Sequence, residues 1–116
     1  MEVLKSKIFK WEFDYGIGEP FTKDIYLSTS HYANNNTLAV IVMEVDENGW
    51  EEEVDVITVN LPFGIADDTH AYIDTNNCSW AEKMLKKSGL AKPTGEYGHS
   101  GWCSYPLYEF NLDKFE

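Results

Sequence analysis

The chain has 116 residues, which is the length of one small domain, and 43% of them are hydrophobic. It carries 20 acidic residues against 9 lysines and no arginine, so its net charge is −11. This balance argues against direct binding to nucleic acid or to an anionic membrane, because both need a surplus of basic side chains. We therefore expect a single domain over residues 1–116 that has neither kind of partner.

The first residues of the chain alternate lysine with aromatic side chains and lack the continuous apolar stretch of a signal peptide. The longest apolar run, residues 38–43, is too short to cross a membrane. Cys78 and Cys103 are then expected to be reduced thiols, because disulfides are rare in the cytosol. A cytoplasmic location is the expectation.

Period-two alternation and β-branched or aromatic residues predict a series of short strands. They cover residues 9–15, 24–32, 37–45, 54–61, 105–112 and, as a short additional strand, 69–74. Asn48-Gly49 joins two of them and is typical of a two-residue type I′ turn, in which both central residues take positive φ. Residues 94–104 are predicted to form a glycine-rich loop.

One helix is predicted to follow Asn77 or Ser79, either of which could cap it, and Ser79 has capping-box spacing to Glu82. The helix would end at Gly89. Its apolar stripe consists of Trp80, Ala81, Met84 and Leu85. The predicted fold class is α+β, a mostly antiparallel sheet of about five strands with one helix packed on it.

The charges are segregated along the chain. Residues 24–82 hold twelve acidic residues and no lysine, whereas the segments on either side of them are close to neutral. A type I′ turn would place Asp46 opposite Glu51 and Glu44 opposite Glu53. Period two would then place five carboxylates on one face, those of Glu44, Asp46, Glu51, Glu53 and Asp55. The other face would carry the core residues Ala39, Ile41, Met43, Val45, Val54 and Val56.

Two interpretations of this acidic hairpin stay open. Like charges on an exposed hairpin keep a protein soluble and prevent its edges from pairing with other edges. The same charges could form a docking surface for a basic protein, such as a nucleic-acid-handling enzyme, and would accelerate that encounter. Trp50, beside the turn, could then anchor the interface.

A tetrahedral zinc site is a further hypothesis, since two cysteines and two histidines suit that ion. The candidate ligands are His70, Cys78, His99 and Cys103. His99 and Cys103 have H-x₃-C spacing, which lacks the paired spacing of well-defined zinc motifs. An oxygen-rich cation site is a weaker hypothesis, and it would involve Asp67, Asp68, His70 and Asp74.

No catalytic motif is evident, and we expect a protein that is not an enzyme. The string GHSGW at residues 98–102 lacks the second glycine of a nucleophile elbow, because Trp102 stands in its place. A thiol nucleophile made from Cys103 and His99 is the remaining enzymatic hypothesis.

Four strings, VNLP at 59–62, AYIDTNN at 71–77, GLAKPTG at 89–95 and SGWCSYPLY at 100–108, carry a resemblance to a known family. As a set they resemble a domain-of-unknown-function family of small acidic proteins from conjugative elements and prophages of Gram-positive bacteria. The resemblance begins at about Asp24 and implies no catalytic residues. It implies an inhibitor of host defence, either anti-restriction or anti-CRISPR.

The two lines of reasoning combine into one functional hypothesis. The chain is expected to be a non-enzymatic anti-CRISPR protein that binds a CRISPR effector nuclease through its acidic surface and blocks DNA loading. The partner-binding residues would be Glu44, Asp46, Trp50, Glu51, Glu53 and Asp55. The alternative is a small zinc-stabilised accessory protein of a mobile element with no inhibitory role.

Overall fold

The computed structural model describes residues 3–61 and 64–116, so Pro62, which closes one of the family strings, lies outside the described residues. It contains eight strands and one α-helix. The strands are β1 (Phe9–Phe13), β2 (Phe21–His31), β3 (Leu38–Val45), β4 (Glu51–Val56), β5 (Thr58–Val59), β6 (His70–Ile73), β7 (Ala91–Ser100) and β8 (Cys103–Phe110). The helix α1 spans Ala81–Ser88, and a 3-10 turn spans Leu112–Lys114.

The strands form two antiparallel sheets of four strands each. The first sheet has the order β1-β2-β3-β4, and the second has the order β5-β6-β8-β7. The α+β class is therefore confirmed, but the number of strands is larger than the predicted five. The segment expected to be one strand over residues 54–61 divides between the two sheets at Ile57, which is fully buried. The Ile57 amide donates a hydrogen bond to Val40 of the first sheet, and its carbonyl accepts one from Asp74, which follows β6 of the second.

The core lies between the inner faces of the two sheets. The first sheet contributes alternate residues such as Trp11 and Phe13 from β1 and Val40 and Val42 from β3. The second sheet contributes, from β6, β7 and β8, Ala71, Ile73, Ala91, Tyr108 and Phe110. These side chains belong to a single buried cluster, as the pleat of a strand requires when one face is covered.

The helix α1 completes this core with the apolar stripe that the sequence predicts. Ala81, Met84 and Leu85 are fully buried. Just before the helix, the Trp80 ring meets the Phe13 ring edge to face, with centroids 5.0 Å apart and an interplanar angle of 80°. This contact joins the segment that starts the helix to the first sheet.

The start of the helix differs from the prediction, whereas its end does not. Trp80 is the N-cap residue and makes no capping hydrogen bond, so the capping box of Ser79 is wrong. Asp74 instead orders the turn that leads into the helix, since its carboxylate accepts a hydrogen bond from the side-chain amide of Asn77 at 2.9 Å. Gly89 ends the helix as predicted, with φ of 73°.

The predicted glycine-rich loop is a strand in the structure. Residues 91–100 form β7, which pairs with β8 across a tight turn at Gly101 and Trp102. Gly98 is required there by close packing, because a Cβ atom at this position would lie 2.4 Å from Leu61 and 2.7 Å from the Tyr72 ring. The glycines of this segment therefore mark close packing and register shifts within a hairpin.

Within residues 3–61 and 64–116, no helix is long and apolar enough to cross a membrane.

Replacing Trp80 by alanine should destabilise the whole domain. The substitution removes a side chain that is only 7% exposed and leaves a cavity beside Phe13. We expect the free energy of unfolding to fall by about 3–5 kcal/mol, measured by urea denaturation. Trp102→Ala is the matched control, because that side chain is fully exposed, and its unfolding midpoint should stay at the wild-type value.

Candidate interaction surface

The β3–β4 hairpin does not close with the predicted two-residue turn. The Asp46 carbonyl accepts a hydrogen bond from the Gly49 amide at 3.0 Å, and the Asp46 amide donates to the Trp50 carbonyl at 2.9 Å. In the turn only Gly49 has positive φ, at 86°. This geometry is a type I turn followed by a left-handed glycine, which is the common three-residue hairpin loop.

The Asp46 carboxylate explains why this loop is preferred. One of its oxygens accepts hydrogen bonds from the backbone amides of Asn48 and Trp50, each at 2.9 Å. A type I′ turn would need positive φ at Asn48 as well, whereas the observed loop needs it at glycine alone. Asp46 is therefore a turn-stabilising residue.

This longer loop shifts the register of the hairpin by one residue. Val45 lies opposite Glu51, Glu44 opposite Glu52, and Met43 opposite Glu53. A bulge between Val42 and Met43 then restores the predicted pairing deeper in the sheet, where Val42 meets Asp55 and Ile41 meets Val56. The predicted pairs at the tip are wrong, and so is the single face of five carboxylates.

The assignment of β3 to the core is also reversed. Leu38, Val40 and Val42 are at most 1% exposed and face the core, whereas Ile41 and Met43 of the predicted core face are half-buried on the outside. Period two could not choose between these faces, since both are apolar along Leu38–Met43.

The outer face at this end of the first sheet combines apolar and acidic side chains. Glu51 and Glu53 share it with their cross-strand partners Val45 and Met43. Tyr26, from the next strand, donates a hydrogen bond from its hydroxyl group to the Glu51 carboxylate. That hydrogen bond, together with burial and the charge of Glu51, raises the pKa of Tyr26 to about 12. We call this patch the outer hairpin face, and its residues are Tyr26, Ile41, Met43, Val45, Glu51, Glu53 and Val56.

The remaining predicted contact residues lie elsewhere on the hairpin. Glu44 is on the opposite face of β3 and forms an ion pair with Lys23 at 3.7 Å. Asp55 is opposite the core residue Val42 and close to Cys78. Trp50 stands at the tip with 75% of its surface exposed, which suits the predicted role of an anchor.

The four candidate zinc ligands are not brought together. His70 is on the second sheet, where its Nδ1 atom is 2.9 Å from Asp67 and its Nε2 atom is 3.5 Å from Glu109. Cys78 is fully buried at the entry to α1. Cys103 is the first residue of β8, whereas His70 lies opposite Glu109 near the other end of that strand. Cys103 and Glu109 are six residues apart, which is about 20 Å along the strand.

The predicted thiol–imidazole pair is also separated. His99 pairs across the hairpin with Ser104, and its Nδ1 atom lies 2.9 Å from the Ser104 hydroxyl group. Cys103 pairs with Ser100, the neighbouring position. Successive pairs point to opposite faces of a hairpin, so the thiol and the imidazole face different sides.

Among residues 3–61 and 64–116, no group of three or more His, Cys, Asp or Glu side chains is placed to hold a metal ion. The four residues proposed for an oxygen-rich cation site, Asp67, Asp68, His70 and Asp74, do not form one cluster either. Asp67 contacts His70, Asp68 lies 4.0 Å from His31, and Asp74 is buried at the helix entry. Zinc binding stays a prediction, for elemental analysis of the purified protein to test.

Comparison with known proteins places the chain in a family. The model of a domain of unknown function, DUF4313, matches residues 26–116. The chain belongs to this family. The match begins in β2 and includes the whole β3–β4 hairpin, α1 and the second sheet. Neither the curated proteins nor the solved structures contain a match to the chain.

The two thiols should differ sharply in reactivity. Burial, followed by the charge of Asp55 and a hydrogen bond with it, raises the pKa of Cys78 to about 12. At pH 8 about one Cys78 thiol in ten thousand is then ionised, and the thiolate is the reactive form. Ellman's reagent should therefore label one thiol per folded chain, which Cys103→Ser removes, and two after unfolding. Rapid labelling of both thiols in the folded protein would contradict this assignment.

Proposed function

We propose that the protein is a non-enzymatic binding protein whose outer hairpin face docks on a basic protein surface. The observation that carries the proposal is the pairing of Glu51 and Glu53 with Val45 and Met43 on one exposed face. Stable interfaces have an apolar centre with a polar rim, and this face has both. A hairpin that served solubility alone would have no need for apolar residues on its solvent side.

The charges of this face suit a partner that normally binds nucleic acid. Glu51 and Glu53 are two residues apart on one strand, which separates them by about 6.8 Å. That distance is comparable with the spacing of neighbouring phosphates along a nucleic-acid strand. A CRISPR effector nuclease, which holds its guide–target duplex in a positively charged channel, is the partner class that we propose. The bound protein would block DNA loading.

Tyr26 supports the proposal by fixing one of the two carboxylates. Its ring is only 5% exposed and its hydroxyl group donates to Glu51, so the acid is held close to the sheet. A preorganised side chain loses less conformational entropy on binding than a free one. Trp50, whose indole extends from the hairpin tip, supplies the large side chain that binding hot spots favour.

Charge reversal on the outer hairpin face tests the proposal. The double variant E51K/E53K should bind a purified, guide-free effector nuclease at least 100-fold more weakly than wild type in biolayer interferometry. Each reversed contact replaces an attraction by a repulsion within a desolvated interface. Wild-type binding should also weaken as the salt concentration rises.

The double variant E19K/E52K is the matched control. It makes the same change in net charge, but Glu19 lies in the β1–β2 loop and Glu52 points away from the outer hairpin face. We expect its affinity to stay within about threefold of wild type. Equal losses in the two double variants would show that only net charge matters, and full binding by E51K/E53K would exclude this face.

A further inference from the structure

A large concave region lies at the edge of the first sheet opposite the acidic hairpin. It is a groove of about 1410 Å³, and one wall is the edge strand β1 with the segment before it. The other wall is the helix α1, and residues 113–116 close one end. We call it the β1–α1 groove. Nothing in the proposed function uses it.

Lysines line much of the groove. Six of the nine lysines line it, namely Lys5, Lys7, Lys10, Lys83, Lys87 and Lys114. Two of these six direct their charge to the outer face of the first sheet instead. The Lys5 ammonium group lies over the Tyr26 ring, 5.6 Å from its centroid, and Lys10 forms an ion pair with Asp24 at 2.9 Å. Four carboxylates also line it, those of Glu12, Asp14, Asp113 and Glu116. Glu12 is two residues from Lys10 and shares its side of β1, so the four remaining lysines, Lys7, Lys83, Lys87 and Lys114, outnumber the three remaining carboxylates.

Aromatic side chains form the floor. Trp11 and Trp80 line the groove and are 8% and 7% exposed. The Lys87 ammonium group lies over the Trp11 ring, 5.9 Å from its centroid, which holds this charge above an apolar base. Lys83 and Lys87 are one helical turn apart and so occupy the same face of α1.

The edge of the first sheet beside the groove is open. β1 is the terminal strand of its sheet, so along Phe9–Phe13 one row of backbone amide and carbonyl groups has no partner strand in the described chain. Just before β1, the same edge is already extended by the chain itself. Lys5 and Glu116 exchange two backbone hydrogen bonds of 2.8 Å, and Ser6 pairs antiparallel with Phe115.

From these observations we propose that the β1–α1 groove binds an extended acidic peptide segment of a partner protein, which pairs with β1 as an additional antiparallel strand. Backbone hydrogen bonds to the free edge would supply affinity, as in other cases of strand addition. Alternate side chains of the peptide would point towards α1. Acidic residues at those positions would meet Lys83 and Lys87.

Charged residues can also guard an exposed edge against aggregation. A charged edge that only prevents aggregation needs no second wall, whereas here α1 forms one and carries two aligned lysines.

The acidic hairpin does not cancel the positive charge of these lysines. β4 is three strand spacings, or about 14 Å, from β1, which exceeds the Debye length of about 8 Å at physiological salt. A strand-pairing site favours a peptide over a nucleic acid, because only a peptide can extend the sheet.

The test uses a fluorescein-labelled ten-residue peptide of alternating glutamate and threonine, titrated with the full-length protein and followed by anisotropy. We expect it to bind at least tenfold more tightly than the same peptide with glutamine in place of glutamate. Bound peptide should also slow amide hydrogen exchange within Phe9–Phe13. The variant E51K/E53K should bind the peptide like wild type, which separates this site from the outer hairpin face.

Two variants of α1 provide a matched pair. Lys87→Glu should weaken peptide binding at least tenfold, whereas Lys86→Glu, which makes the same charge change outside the groove, should weaken it less than threefold. Lys83→Glu repeats the test should the loss of the Lys87–Trp11 contact lower the melting temperature. Equal effects at Lys86 and Lys87, no binding of the glutamate peptide, or tighter binding of a ten-nucleotide oligothymidylate would overturn the proposal.

Discussion

The contact between Trp80 and Phe13 is the interaction on which the arrangement of this protein depends. Neither four-stranded sheet covers both of its own faces, and a sheet with an exposed apolar face is unstable. The Trp80 ring joins the segment that starts α1 to β1, and α1 then adds Ala81, Met84 and Leu85 to the common buried core. The helix therefore lies beside β1, at one edge of the first sheet.

That position of the helix explains the two unlike edges of the first sheet. At β1 the helix forms a second wall, and the lysines on both walls make this side positive. At β4 the edge carries Glu51, Glu52 and Glu53. The charge segregation seen along the chain therefore becomes a separation across one sheet. Two surfaces of opposite sign can then attract different partners.

The acidic hairpin shows how the conformation of one loop changes which side chains share a surface. Asp46 accepts hydrogen bonds from two backbone amides and so favours a longer loop than the Asn48-Gly49 pair predicts. Because side chains alternate along a strand, a shift of one residue between β3 and β4 puts Glu44 on the opposite face from Glu51 and Glu53. Glu51 and Glu53 thereby join the apolar residues of the outer face, while Glu44 and Glu52 share the opposite one. The mixed surface on which the proposed docking rests follows from this shift.

The sequence by itself determined the α+β class, the helix stripe and its end at Gly89, and the concentration of acid around the β3–β4 hairpin. These features are local, since each depends on periodicity or on residues close together in the chain. Only the tertiary structure decided which face of β3 is buried, because Leu38–Met43 is apolar on both sides. The tertiary structure also formed the β1–α1 groove, because its two walls, β1 and α1, are far apart in the sequence. Lysines such as Lys7 and Lys87 are eighty residues apart in sequence, so no pattern could place them together.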